Sequence, residues 1–319
     1  MTTRRLLAAA CFVALILVAA YFAWRTTILT AVIVARERTI ADLNASLLAA
    51  EQRFIAQREL LRQNRLTNAA RTPDEFLALF PAKFPQGNWH PAESQFEDCW
   101  FRSADGMRLH GWLIRHARPK AAVLLVHGNA GNLTHRAERA VQLSHRYQAS
   151  VLVFDYRGYG RSEGMPTIDG VLHNARAARE LLAEREGIAE QAIVLLGESL
   201  GGAVAVDLAA HDGARGLILE STFSSLKEAA ATHYPSMLVD MFVADRLNSV
   251  ASIRNYRGTL MQVHGDADRI IPLALGQKLY MAANEPKQLL VVPGHDHNDP
   301  LSEAYYKSLD EFFNRLPKR

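Results

Sequence analysis

The sequence predicts an α/β domain with a mostly parallel central sheet and helices on both faces. Three observations predict it. From residue 96 onward, short apolar runs such as 121–126 alternate with segments of helical periodicity. These runs are apolar throughout, as in strands that are buried on both faces. In addition, a strand-like run at 193–196 passes through a glycine-rich turn directly into an apolar helix at 203–210.

The elements of this domain follow one another in a regular order. Residues 99–102 and 107–114 flank Ala104-Asp105-Gly106, which predicts a hairpin. We predict further strands at 121–126, 150–154, 193–196, 216–219, 260–263 and 288–292, and helices at 132–148, 167–185, 203–210 and 301–316. Ligands of such sheets bind at the carboxyl ends of the strands, so the polar motifs that follow the strands are the candidate site.

Ahead of this domain, residues 6–24 carry no charged side chain. As a helix the run would span about 28 Å, close to the thickness of a bilayer core. We therefore predict an N-terminal transmembrane helix, with residues 1–35 as a single-pass membrane anchor. The alternative is a signal peptide cleaved near Val18-Ala19-Ala20. Arginines flank the run on both sides, so they do not decide its orientation in the membrane.

Residues 36–95 connect the predicted anchor to the α/β domain at 96–319. The first part, 36–70, lacks glycine and proline and predicts one long helix, with an apolar residue at every seventh position in Ile40, Leu47, Phe54 and Leu61. Such a helix can serve as a stalk or support self-association as a short coiled coil. Several prolines then predict a linker up to residue 95.

The charge distribution argues against a nucleic-acid partner. Residues 1–71 contain ten arginines and four acidic residues, so they carry a net charge of +6. The whole chain carries +3, which leaves −3 for the remainder. The basic excess therefore belongs to the N-terminal segment and not to a groove on the main domain.

The turn after the strand at 193–196 reads Gly197-Glu198-Ser199-Leu200-Gly201. A strand, a sharp turn and a helix in this order are the setting of a serine nucleophile at a strained elbow. The two glycines let the strand and helix backbones approach closely. Ser199 is therefore the candidate nucleophile, and the Leu200 N–H at the start of the helix is a candidate donor to an oxyanion.

Two further loops follow consecutive predicted strands. The first reads His127-Gly128-Asn129-Ala130-Gly131-Asn132, and its small residues let the backbone curl towards the elbow. We predict an oxyanion hole formed by the Asn129 and Leu200 N–H groups, each worth about 3–4 kcal/mol in a transition state. The second loop, residues 155–162, is expected to shape the floor of the site.

A serine nucleophile also needs a base and a carboxylate that orients the base. The segment after the strand at 260–263 offers Asp266 and Asp268, and the segment after the last strand offers His295 and His297. These residues alone do not decide which aspartate is the acid or which histidine is the base.

The sequence predicts neither a metal site nor another cofactor. The spacing His295-x-His297-x-Asp299 is similar to a two-zinc hydrolase loop, but Pro300 stands where a further histidine would be needed. The only cysteines, Cys11 and Cys99, have no metal-binding spacing and are not expected to form a disulfide.

Taken in order, these motifs resemble the α/β-hydrolase superfamily over residues 96–319. They are most similar to the branch of serine aminopeptidase-like, monoacylglycerol-lipase-like and Bem46-like proteins. The matching pieces are His-Gly-Asn-Ala-Gly-Asn, Tyr-Arg-Gly-Tyr-Gly-Arg-Ser, Gly-Glu-Ser-Leu-Gly-Gly, His-Gly-x-x-Asp and a final His-Asn-Asp. The resemblance implies an α/β-hydrolase fold, with Ser199 as nucleophile, Asp268 as acid and His297 as base.

The resulting hypothesis is a membrane-anchored serine hydrolase of carboxylic esters or thioesters. A small-molecule acyl ester or thioester is the expected substrate, and residues 221–258 are expected to form a short cap over an apolar acyl pocket. Two alternatives stay open: a peptidase that acts on small amides, and a non-catalytic membrane scaffold with a hydrolase-like fold.

Overall fold

The computed structural model describes Thr26, Thr72, Glu75 and residues 78–91 and 96–317. The chain divides into two compact units, residues 1–70 and 71–319. The predicted membrane anchor and the predicted long helix lie outside the described residues, apart from Thr26. Among the helices that the structure describes, none is long and apolar enough to cross a membrane. The transmembrane helix therefore stays a prediction.

The second unit is built around an eight-stranded sheet. The described strands are β1 (Phe80–Pro81), β2 (Glu97–Arg102), β3 (Arg108–Ile114), β4 (Ala121–Val126), β5 (Ala130–Gly131), β6 (Ala149–Phe154), β7 (Val194–Glu198), β8 (Gly216–Glu220), β9 (Thr259–Gly265) and β10 (Lys287–Val292). Eight of them form the sheet in the order β10-β9-β8-β7-β4-β6-β3-β2. In this sheet β3 runs antiparallel to β2 and β6, and the other five adjacent pairs are parallel, so the predicted mostly parallel sheet is confirmed.

Helices cover both faces of this sheet. They are α1 (Ala137–Tyr147), α2 (Ile168–Glu186), α3 (Leu200–Asp212), α4 (Leu226–Ala231), α5 (Ser236–Phe242), α6 (Ser249–Ile253), α7 (Leu273–Ala282) and α8 (Glu303–Arg315). Even-numbered residues of β4 pack in one core cluster with α2 and α3, and odd-numbered residues pack in the other with α1 and α8. Both sides of the strand are buried, which explains why its sequence is apolar throughout.

The predicted helix at 132–148 is divided in two. The Asn132 side chain accepts the Thr134 N–H and caps a short 3-10 turn at Leu133–Arg136. Helix α1 follows and is capped at its carboxyl end by Gln148, which adopts a left-handed conformation with φ of 48°. The Asn132 amide also donates to the Ala82 carbonyl at 3.1 Å, so this corner is tied to the segment before the domain.

That preceding segment contains more regular structure than its prolines predict. Strand β1 pairs in parallel with β5, and the Phe80 N–H donates to the Asn129 carbonyl at 2.9 Å. Trp89 is buried, with its ring 5.7 Å from that of Trp112. The described part of the predicted linker therefore packs against the α/β domain. Strand β1 and the residues after it hydrogen-bond to the loop at 127–132, some 50 residues later in the chain.

Residues 221–258 form three short helices, α4 to α6. Val239 on α5 is buried, whereas Met237 and Met241 are 69% and 66% exposed. His233 donates from Nε2 to the Ile270 carbonyl at 2.7 Å, which joins this segment to the loop after β9. We call residues 221–258 the cap segment.

Candidate active site

Ser199 lies at the turn between β7 and α3, with φ of 52° and ψ of −117°. A positive φ is strained for a residue with a side chain, and such strain is typical of functional turns. The turn is held from both sides. The Ser199 N–H donates to the Glu220 carbonyl at 2.8 Å, and the Thr222 hydroxyl donates to the Ser199 carbonyl at 2.7 Å.

The glycines of this turn are required by close backbone contacts. A Cβ on Gly197 would lie 2.3 Å from the Gly201 carbonyl oxygen, and a Cβ on Gly201 would lie 2.0 Å from the Val126 carbonyl oxygen. No side chain fits at such distances without displacing backbone. The close approach of strand and helix backbones, for which the sequence predicts glycine at 197 and 201, is therefore present in the elbow.

Asp268 and His297 are brought together by two loops, one after β9 and one after β10. The distance from His297 Nδ1 to Asp268 Oδ2 is 2.7 Å. The other carboxylate oxygen of Asp268 accepts the Ile270 and Ile271 N–H groups at 2.9 and 2.7 Å. The imidazole is therefore held by a carboxylate that is itself fixed by backbone donors.

The surroundings of Asp268 keep it ionised. Burial opposes its ionisation, but hydrogen bonds from His264, His297 and the Ile271 amide outweigh burial and hold the pKa of this carboxyl well below its usual range. His264 Nε2 lies 3.3 Å from Asp268 Oδ2. An ionised carboxylate at this position favours the Nδ1–H tautomer of His297, which leaves Nε2 free to accept a proton.

Asp266 and His295, the alternative acid and base, are placed differently. Asp266 is exposed, and its Oδ1 accepts the Gly294 N–H at 2.6 Å. His295 Nδ1 lies 3.2 Å from the Pro293 carbonyl oxygen. Among the described residues, neither Asp266 nor His295 forms a carboxylate–imidazole pair, so this geometry favours Asp268 and His297.

The predicted oxyanion donors lie at the carboxyl ends of adjacent strands. Asn129 follows β4, Leu200 follows β7, and Val126 pairs with Gly197 between the two strands. Within the described residues, neither the Asn129 N–H nor the Leu200 N–H has a hydrogen-bond acceptor. Unpaired backbone donors are uncommon in folded proteins, and here they are available to a ligand oxygen.

A cavity of about 740 Å³ contains Ser199, Asn129 and His297 in its lining. No hydrogen bond joins the Ser199 hydroxyl to the His297 imidazole within the described part of the chain. Catalytic hydrogen bonds are often long in free enzymes and shorten when substrate binds. Of the cap segment, only Ser221 lines this cavity. The predicted apolar pocket beneath the cap segment therefore stays a prediction.

One wall of this cavity carries charged residues that sequence reasoning missed. Arg136 pairs with Glu198, and Arg139 donates to Glu220 at 2.8 Å. The Tyr305 hydroxyl also hydrogen-bonds to both Arg139 and Glu220. These partners are 62 to 166 residues apart, so no local motif could have revealed them.

The chain is similar to known proteins over most of this domain. A family model described as serine aminopeptidase, S33, matches residues 117–252. An uncharacterised protein of Mycobacterium tuberculosis is 40% identical over 226 residues, which cover 70% of this chain and 80% of that protein. The α/β-hydrolase domain-containing protein WAV2 of Arabidopsis thaliana is 31% identical over 244 residues, which cover 69% of this chain and 79% of WAV2.

The fold is also similar to that of solved esterases. The Pyrococcus furiosus esterase Pf2001 superposes with a TM-score of 0.62 and 21% identity, covering 75% of this chain and 99% of the esterase. At this identity the likeness concerns the fold alone. The relatives, of which this chain covers about four-fifths, show that the chain belongs to the α/β-hydrolase superfamily.

Proposed function

We propose that this protein is a serine hydrolase that cleaves carboxylic ester or thioester bonds through an acyl-enzyme. The observation that carries the proposal is a single cavity lined by the strained Ser199 and by His297, whose imidazole is bound to the ionised Asp268. A nucleophile, a base and a carboxylate that orients the base are the parts that such a reaction needs.

In the proposed mechanism, His297 Nε2 takes the Ser199 proton as the serine oxygen attacks the acyl carbon. The Asn129 and Leu200 N–H groups stabilise the negative charge that develops on the carbonyl oxygen. His297 then gives the proton to the departing alcohol or thiol, and Ser199 keeps the acyl group. Water attacks this acyl-enzyme in the same way, which releases the acid and restores the serine.

The substrate is proposed to be a small-molecule acyl ester or thioester. The predicted membrane anchor would hold the site close to lipid-like esters, and the predicted long helix at 36–70 would act as a stalk or support self-association. A comparison of membrane binding by the full chain and by a chain that lacks residues 1–70 tests this part. Equal recovery of both in the membrane fraction would contradict the anchor.

Replacement of the nucleophile tests the proposed chemistry. We expect Ser199→Ala to lower the turnover of a short p-nitrophenyl ester by about six orders of magnitude, because the acyl-enzyme cannot form. Thermal unfolding of both proteins serves as the control for folding. Near-native turnover by the folded variant would show that Ser199 is not the nucleophile.

A second candidate activity is hydrolysis of small amides, which the serine aminopeptidase family model favours. The proposed residues would serve both reactions, since attack and proton transfer follow the same course. Turnover of acyl esters and of aminoacyl amides of matched size separates the two. If the folded chain hydrolyses neither and a fluorophosphonate does not label Ser199, a non-catalytic scaffold becomes the better account.

A further inference from the structure

The orientation of the Asn129 N–H depends on how one peptide unit is held. This N–H belongs to the peptide that joins Gly128 to Asn129. Glycines at 128 and 131 leave the loop backbone conformationally permissive, and Gly131 adopts φ of 84°. An oxyanion donor is effective only when its direction is fixed before the reaction. Side-chain contacts to the loop backbone must therefore set this peptide plane.

Three successive carbonyl groups in the loop are each held by a side chain. The Tyr156 hydroxyl donates to the His127 carbonyl at 2.7 Å, and His127 Nδ1 donates to the Gly128 carbonyl at 2.7 Å. The Tyr159 hydroxyl donates to the Asn129 carbonyl, also at 2.7 Å, and this carbonyl accepts the Phe80 N–H as well. The peptide that carries the Asn129 N–H is thus held at its own carbonyl and at the carbonyls of both adjacent peptides.

The two tyrosines are rigidly placed. Both side chains are fully buried, and their ring centroids lie 5.5 Å apart in an edge-on arrangement. The His127 ring packs against both, at 4.3 Å from Tyr156 and 5.4 Å from Tyr159. Burial and the nearby Arg136 lower the pKa of His127 to about 3, so its ring is neutral and Nδ1 carries the donated proton.

We propose that Tyr156 and Tyr159 are positioning residues that direct the Asn129 N–H towards the substrate oxyanion. The inference rests on the proposed function. Neither tyrosine lines the cavity that holds Ser199, so each acts through the loop backbone and not on the substrate. Their effect belongs to the transition state, because the carbonyl oxygen becomes a strong acceptor only as the serine adds.

The test uses Tyr156→Phe, Tyr159→Phe and the double variant, with Tyr147→Phe as a matched control. Tyr147 is half-buried on α1, and its hydroxyl donates to Asp310 Oδ1 at 2.9 Å, away from the loop. We expect kcat for a p-nitrophenyl ester to fall about tenfold in Tyr156→Phe, by less in Tyr159→Phe because the Phe80 N–H still holds the Asn129 carbonyl, and by more than tenfold in the double variant, since loss of one oxyanion donor costs 10²–10³-fold. KM should change less than twofold, and Tyr147→Phe should retain the kcat of the unmodified protein.

Hydrolysis of a matched thionoester separates a loss of oxyanion stabilisation from a general disruption of the site. Its sulfur accepts hydrogen bonds weakly, so its hydrolysis depends little on the oxyanion donors. We expect the phenylalanine variants to lose much more rate with the oxygen ester than with the matched thionoester. Equal losses with both esters, or an unchanged kcat in the double variant, would overturn the positioning role.

Failure of the positioning role is distinguishable from failure of the proposed function. If the unmodified protein hydrolyses neither ester and a fluorophosphonate does not label Ser199, the hydrolase assignment itself is wrong. If one tyrosine variant does not fold, the other still tests the role, because the two hydroxyls hold different carbonyls.

Discussion

The loop at 127–132 lies beside the candidate nucleophile, and the cap segment at 221–258 begins beside it, yet the two are held very differently. Five of the six carbonyls in the loop accept a hydrogen bond, two of them from buried tyrosines. Four side chains on α5 are instead between 43% and 69% exposed, namely Met237, Leu238, Met241 and Phe242.

This contrast separates two requirements of a hydrolase. Stabilising an oxyanion needs donors that are fixed before the reaction, and buried hydrogen bonds supply that rigidity. Accommodating different acyl groups needs adaptable apolar side chains, and methionine provides them. We propose that the loop is the invariable part of the site and that the cap segment, which the sequence predicts to cover the acyl pocket, is the adaptable part. Substitutions in and around each part test this division.

The largest of these effects is expected at the carboxylate that orients the base. Asp268→Asn should lower kcat for a short ester by about four orders of magnitude, because the amide no longer stabilises the imidazolium or selects its tautomer. Steady-state kinetics measure the loss.

Asp266→Asn is the matched control, since Asp266 is two residues away and exposed, and its side chain accepts the Gly294 N–H and contacts no histidine within the described residues. Its kcat should stay within threefold of the unmodified protein. A large loss in Asp266→Asn together with a small one in Asp268→Asn would reverse the assignment of the acid.

A second effect is expected in the pH dependence of stability. Asp155 is buried behind the loop at 127–132, where it accepts the Leu133 N–H at 2.8 Å. Burial raises its pKa to about 8, so the folded protein binds a proton here that the unfolded chain releases above about pH 4. The free energy of unfolding should therefore fall as the pH rises from about 4 to 8, by at most about 1.4 kcal/mol per pH unit from this group.

Asp155→Asn removes this titration and keeps an acceptor for the Leu133 N–H. The difference between the two proteins isolates Asp155 from all other titrating groups. Urea unfolding at pH 5, 6, 7 and 8 should show the unmodified protein losing stability relative to the variant. Parallel curves would mean that Asp155 does not hold a proton in the folded state.

The smallest effect is expected in the cap segment. The double substitution Met237→Ser and Met241→Ser changes exposed side chains that do not line the described cavity. Turnover of a p-nitrophenyl acetate should change less than twofold, and the free energy of unfolding by less than about 0.5 kcal/mol. A tenfold loss with this small ester would show that the cap segment belongs to the invariable part of the site.

Much of the fold could be predicted from local sequence. Continuous apolar runs predicted strands that are buried on both faces, and β4 has the bounds that its sequence predicts. The glycines at 197 and 201 pointed to an elbow because each lies where a Cβ would collide with backbone. Such features depend on residues close together in the chain, which is why a single sequence reveals them.

Other features depend on contacts between distant residues. The pairing of β1 with β5 and the ion pair between Arg139 and Glu220 join segments that no periodicity connects. Residues alone could not choose between Asp266 and Asp268, since two positions on one loop differ only in where the fold directs them. The resemblance to α/β hydrolases favoured Asp268, and the 2.7 Å contact with His297 supports that choice.

The most direct test of the account is the site of covalent labelling by a fluorophosphonate. This probe reacts with an activated serine hydroxyl and stays attached. We expect peptide mass mapping of the folded protein to place one adduct on Ser199, with labelling slowed strongly in Asp268→Asn and retained in Asp266→Asn. An adduct on another residue, or no adduct on folded protein, would contradict the assignment of Ser199 as the nucleophile.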